Sequence, residues 1–124
     1  MIAYTMLGTN QLDEAAAFYD ALFAEIGVER MWTADTSVAW SPNPKTPAFS
    51  VTLPRDGNPA TVGNGTMIAL ALPDSDTVDQ IYKKAIELGA TDEGAAGPRG
   101  DQFYCGYFRD LDGNKINAFA FIRP

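Results

Sequence analysis

Asp110, Asp112 and Asn114 put side-chain oxygens at alternate positions near the end of the chain, the spacing with which a calcium loop opens. A loop begun at Asp110 would need glycine at its sixth position and glutamate at its twelfth, where Lys115 and Phe121 stand. The acids therefore read as a hairpin turn, hinged on Asp112-Gly113-Asn114 between two strand-like runs. The chain has no histidine and a single cysteine, Cys105, which excludes an internal disulfide framework and a cysteine cluster for zinc. Cys105 sits in an apolar strand and reads as a buried small hydrophobe rather than a reactive thiol. Arg99 lies in a Gly- and Ala-rich stretch, residues 94–100, that reads as a mobile loop whose guanidinium can meet an anionic substrate group. This stretch has neither a Gly-x-Gly-x-x-Gly nor a Lys-Ser/Thr pattern and leads into no helix, so it is not a phosphate cradle.

The elements that must position such groups come from one small domain. At 124 residues, 46% apolar and 11% aromatic, the chain can bury about two thirds of the surface its unfolded form exposes. A formal charge of −7 argues against binding a phosphate backbone, and so against nucleic acid, while it favours a cationic ligand. The first residues show no basic leader, long apolar run or small-residue cleavage site, so a cytoplasmic protein without a membrane anchor is expected.

Two halves carry one pattern. Shifting the second half by 63 residues sets Met67 on Tyr4 and Tyr82 on Tyr19, which marks an internal duplication. In the first half, residues 2–7 read as a strand, and Asn10 as the cap of a helix with Asp13 and Glu14 in its first turn. Leu12, Ala16, Tyr19, Phe23 and Ile26 recur at helical spacing up to Gly27. Strands over 29–33, 37–40 and 48–53 follow. The second half repeats the order: a strand over 67–72, and a helix entered at Pro73-Asp74-Ser75-Asp76, with Val78, Ile81, Tyr82, Ala85 and Leu88 on one face and Gly89 at its end. Strands over 90–93, 102–109 and 114–122 complete it. The fold class is α+β, two βαβββ modules: module one about 1–54, a linker about 55–65, and module two about 66–124. Packed edge to edge, two such sheets would form a half-open, cup-shaped sheet with the helices on the outer face.

The duplication, the Phe18-Tyr19 pair and the run Tyr107-Phe-Arg-Asp-Leu-Asp-Gly-Asn-Lys-Ile together resemble the vicinal oxygen chelate superfamily: glyoxalases, ring-cleaving dioxygenases, fosfomycin-inactivating enzymes and bleomycin-binding proteins. The resemblance covers nearly the whole chain. It implies metal ligands, usually His or Glu, on the first and last strands of each module, holding a divalent Lewis acid. Those places correspond here to Tyr4, to Met67, to the run 48–53 with only Ala, Phe, Ser, Val, Thr and Leu, and to Asn117, where Asp-Gly-Asn-x-Ile-Glu reads Asp112-Gly-Asn-Lys-Ile-Asn117. A thioether and neutral phenol and amide groups bind hard divalent ions weakly, so no metal and no cofactor is expected.

Under the same resemblance Tyr4, Lys115, Asn117 and Phe119 line one pocket. A phenol, an amide and an ammonium there can hydrogen-bond a carbonyl or enolate. Trp40, Phe49, Met67 and Phe119 would form an apolar wall, with Arg99 and Tyr107 as further contacts. The expected function is metal-independent binding of a small molecule, as in the drug-sequestering members. Two alternatives stand beside it: a metal-independent lyase or isomerase on a small oxygen-rich substrate, with Tyr4 or Lys115 transferring protons, and an interaction module whose cup is closed by side chains. Superfamily members are commonly homodimers, so a homodimer is expected.

Overall fold

The computed structural model describes residues 1–122, which fall into two compact units divided between Val62 and Gly63. The division lies within the stretch expected to link the modules. The first unit runs β1 (Tyr4–Gly8), α1 (Leu12–Ala24), β2 (Arg30–Thr33), β3 (Ser37–Trp40) and β4 (Ala48–Thr52). Its sheet has the order β1-β4-β3-β2, with β1 and β4 parallel and the other pairs antiparallel. The second unit runs β5 (Ile68–Ala71), α2 (Ser75–Glu87), β6 (Thr91–Arg99), β7 (Phe103–Arg109) and β8 (Lys115–Phe121). It repeats the order as β5-β8-β7-β6, again with one parallel pair. The fold is α+β with two βαβββ modules.

In the first unit, α1 buries Ala15, Phe18, Tyr19, Leu22 and Phe23. Tyr19 packs on Phe49 and Trp40 at ring centroid distances of 4.7 and 5.5 Å, and Phe23 on the same two rings at 5.5 and 5.7 Å. Because strand side chains alternate, this leaves Tyr4, Met6, Trp32, Ala39, Ala48 and Ser50 on the opposite face, in step with the strand pairing. Trp40 donates from Nε1 to Asp20 on α1 (2.9 Å), and Asp20 also holds Arg30 of β2 with two hydrogen bonds.

Asn10 is not the helix cap that its position suggested. Gln11 occupies the N-cap without a side-chain bond. The Asn10 amide reaches instead to Ala60, accepting from its N–H (2.6 Å) and donating to its carbonyl (3.3 Å). A clip to a distant backbone satisfies both ends of the amide, whereas a cap would use only its oxygen. Asp74 does cap α2, accepting from the Thr77 N–H and hydroxyl.

In the second unit, Val78, Ile81 and Ala85 of α2 are buried, as are Phe108, Ile116, Ala118 and Ala120 of the sheet. Tyr82 lies over Gly106, where an added Cβ would come within 3.0 Å of its ring. The hydroxyls of Tyr82 and Tyr104 donate to Asp92 and Asp79, both at 2.7 Å. The 94–100 stretch is a correction to the sequence reading. Residues 94–99 are the last six residues of β6, paired with β7 through register shifts on either side of Gly94. Its Gly and Pro residues mark bulges in a strand rather than a free loop. At the β7–β8 turn, Asp110 Oδ1 accepts from the N–H groups of Asp112 and Asn114, its Oδ2 from the Asn114 amide, and Gly113 takes φ +91°.

Candidate functional site

Residues 104, 106 and 108 of β7 face α2, so residues 103, 105, 107 and 109 stand on the open face of the second sheet. The antiparallel register sets Arg109 opposite Lys115, Tyr107 opposite Asn117, Cys105 opposite Phe119 and Phe103 opposite Phe121. The open face thus grades along the strands from cations, through a phenol and an amide, to three mutually touching phenyl rings, with centroids 5.0 to 5.6 Å apart.

Tyr107 is the centre of the polar half. The Arg99 guanidinium lies 5.6 Å and the Lys115 ammonium 5.4 Å from its ring centroid, both within cation–π range. Burial, then a hydrogen bond to Cys105, pushes the phenol's pKa up, against a smaller opposing pull from Arg99. Cys105 is buried. Arg99 is fixed by its own strand: Nη1 donates to the Gly97 and Pro98 carbonyls and Nη2 to that of Ala95. A Cβ on Gly94 would come within 3.2 Å of the Tyr107 ring and 3.4 Å of the guanidinium, so the bulge lets both settle close to the backbone. Arg109 pairs with Glu93, whose pKa falls because of that hydrogen bond and, more weakly, because of Lys115.

Asn117 stands apart. It is 5% exposed, and its Oδ1 is buried without any hydrogen-bond partner, the one side-chain atom so placed among the described residues. An unmade bond of this kind costs about 1–3 kcal/mol, and its presence in a native fold calls for a reason.

Of the side chains singled out in the sequence, Arg99, Tyr107, Lys115, Asn117 and Phe119 share this face, and Met67 sits exposed one residue before β5. Tyr4 lies on the open face of the first sheet, 54% exposed, with its ring edge-on to Trp32 at 5.5 Å. Trp40 and Phe49 belong to the other side of that sheet, 1% and 7% exposed among the α1 aromatics. They are core rather than open wall. The sequence reading passed over Trp32, Phe103 and Phe121. All three are in strands whose alternation alone could have flagged them, Phe103 through Tyr107 and Phe121 through Asn117 and Phe119.

The family profile of the glyoxalase/bleomycin resistance protein/dioxygenase superfamily matches residues 1–118. The chain belongs to that superfamily. A glyoxalase/bleomycin resistance protein from Albidiferax ferrireducens T118 is 33% identical, with a TM-score of 0.90 over 100% of this chain and 99% of its own. Two more distant structures share the fold. One is a glyoxalase/bleomycin resistance protein/dioxygenase family enzyme from Burkholderia phytofirmans PsJN, 14% identical with a TM-score of 0.76 over 97% of this chain and 98% of its own. The other is lactoylglutathione lyase from Agrobacterium tumefaciens, 21% identical with a TM-score of 0.70 over 97% and 92%. Comparison with curated proteins finds no match.

The superfamily's divalent ion can be tested against the donors present. Tyr4 and Asn117 offer a neutral phenol and amide, and Met67 a thioether. In β4, the Ser50 and Thr52 hydroxyls already donate to the carbonyls of Thr5 and Thr36. Among the described residues no three His, Cys, Asp or Glu side chains gather. A set without carboxylate or imidazole does not fit a hard divalent ion.

Proposed function

We propose that this protein is a small-molecule-binding member of the superfamily which holds its ligand with its own side chains rather than through a divalent ion. The observation that carries this reading is Asn117. Where the superfamily motif ends in a carboxylate, this chain has a buried amide with an unpaired oxygen, a group suited to one directional hydrogen bond and poorly suited to neutralising a cation. The surrounding phenol, cations and phenyl rings supply the mixed polar and apolar contacts by which ligand sites orient their occupants.

The test is thermal unfolding of the chelator-treated protein with and without Mg, Mn, Fe(II), Co, Ni and Zn. A native-state ligand at a hundredfold excess over its dissociation constant adds about 2.7 kcal/mol, which at this size moves the midpoint by several degrees. The expected result is no shift with any ion. A clear shift for one ion, lost in Asn117→Leu or Tyr4→Phe, would replace this reading with metal-dependent chemistry at an unusual site.

We also read the protein as a cytoplasmic homodimer. No described helix is long and apolar enough to cross a membrane. Tyr4 and Met6 leave apolar surface exposed on the first unit that a second copy could cover. Sedimentation equilibrium giving the monomer mass would refute the dimer.

A further inference from the structure

We propose that the open face of the second sheet takes a small anionic ligand: a carboxylate that also carries a hydroxyl and an apolar body. Lys115 meets the carboxylate, the Asn117 amide pairs with the hydroxyl, and the Phe103, Phe119 and Phe121 rings receive the apolar end. This rests on the binding reading above and reverses the charge that the overall composition favoured for the ligand.

Local charge decides the sign. Three of the nine Lys and Arg residues in a chain of net charge −7, Arg99, Arg109 and Lys115, act on this one face. Of the nearby acids, Glu93 is held by Arg109, Asp92 is turned to Tyr82 on the α2 side, and Asp110 and Asp112 lie in the adjoining turn, where Asp110 accepts from the Asp112 and Asn114 N–H groups and the Asn114 amide. Among the described residues neither Arg99 nor Lys115 is taken up in an ion pair. Interactions over a few ångströms outweigh the distant acidic surface, which is screened beyond about 8–10 Å. Arg99 donates to three backbone carbonyls, so it lends charge while Lys115 is the group that makes contact.

Order along the strand sets the ligand's shape. Lys115, Asn117 and Phe119 are successive residues on one face of β8, about 6.7 Å apart at Cα, and the long Lys115 side chain carries its ammonium to 5.4 Å from the ring of Tyr107, the residue opposite Asn117, which brings the charge back toward the amide. Carboxylate, hydroxyl and apolar body must follow in that sequence. The unpaired amide supplies the hydrogen bond that gives the hydroxyl its value, because a site with an unmet polar group discriminates against a ligand unable to satisfy it.

The experiment is calorimetric titration of the full chain in chelator with phenyllactate, with phenylpropionate, which lacks the hydroxyl, and with phenethylamine, a cation of similar body. Phenyllactate should bind about tenfold more tightly than phenylpropionate, and phenethylamine should bind least; tenfold is about 1.4 kcal/mol. Lys115→Gln should weaken both carboxylates. Asn117→Leu should abolish the advantage of the hydroxyl, so that phenyllactate and phenylpropionate bind alike, a split that a merely structural role for Asn117 would not produce. Phenethylamine binding as tightly as phenyllactate, carboxylate affinity unmoved by Lys115→Gln, or no binding of phenyllactate would each overturn the proposal. Binding of phenyllactate that needed an added divalent ion would refute the metal-independent reading and leave the charge assignment standing. The two failures are therefore separable.

Discussion

Tyr107 and Asn117 stand directly opposite each other on β7 and β8, and they meet their burial in different ways. Tyr107 is flanked by the Arg99 and Lys115 cations, and its pKa is raised, first of all by burial. Asn117 finds no partner for its oxygen. One side of the pair is held between cations and the other is left unsatisfied, as expected where a frame keeps one buried hydrogen-bonding group in reserve for a ligand.

Asn117→Leu should therefore stabilise the free protein. Replacing an unpaired buried amide with an apolar side chain of similar size removes a desolvation penalty of about 1–3 kcal/mol, and the unfolding midpoint should rise by several degrees. Thermal unfolding measures it. A loss of stability instead would mean that the amide is paired in solution and holds no hydrogen bond in reserve for a ligand.

Much of this architecture is legible in the sequence, because duplication, helical periodicity and the Asp112-Gly113 turn each leave a local signal. What escapes is whatever depends on distant backbone. Asn10 looks like a cap until Ala60 comes within reach. Gly94, Gly97 and Pro98 look like a loop until β7 pairs with them. For the site, the alternation of β8 puts Lys115, Asn117 and Phe119 on one face, but it does not reveal which amide atom lacks a partner. Trp40 and Phe49 were misplaced because an aromatic in a strand has two faces to choose from, and only the α1 rings decide between them.

Asp20 should matter through Trp40 more than through its ion pair. Its carboxyl sits below the ordinary value, held mainly by the hydrogen bond from Arg30 and also by that from Trp40, with burial opposing. The Arg30 pair is more than a third exposed on both sides and is worth about 0.2–1 kcal/mol. Asp20→Asn should lose about that much, whereas Asp20→Ala also strands the indole N–H of a buried Trp40 and should cost a further 1 kcal/mol or so. Because the folded-state pKa is depressed, this stabilisation is complete above the unfolded value of about 3.9 and is lost as pH falls through the folded value. The gap between wild type and Asp20→Asn, followed by urea unfolding, should narrow below about pH 4. A gap independent of pH would exclude the ion pair as its source.

Asn10→Ala separates the clip from the cap. Loss of a cap would speed amide exchange in the first turn of α1. Loss of the clip should speed it at Ala60, whose N–H now donates to Asn10, with a stability cost of about 0.5–1.5 kcal/mol. Exchange that changed in the helix and not at Ala60 would restore the cap.

Gly106 tests how tightly α2 lies on its sheet. A Cβ there would approach Tyr82 Cδ1 to 3.0 Å and its Cβ and Cγ to 3.2 Å. The ring cannot simply swing aside, because its hydroxyl is tied to Asp92, which in turn accepts from the Gly94 N–H at the β6 bulge. Gly106→Ala should therefore act as overpacking, at about 1–3 kcal/mol, and disturb the bulge that seats Arg99 beside Tyr107. Tyr82→Ala removes the obstructing ring, so the double variant should be less destabilised than the sum of the two single ones, with a coupling of about 0.5–3 kcal/mol. Strict additivity in that cycle would show that the new methyl never meets the ring, and that α2 has slack where the structure places contact.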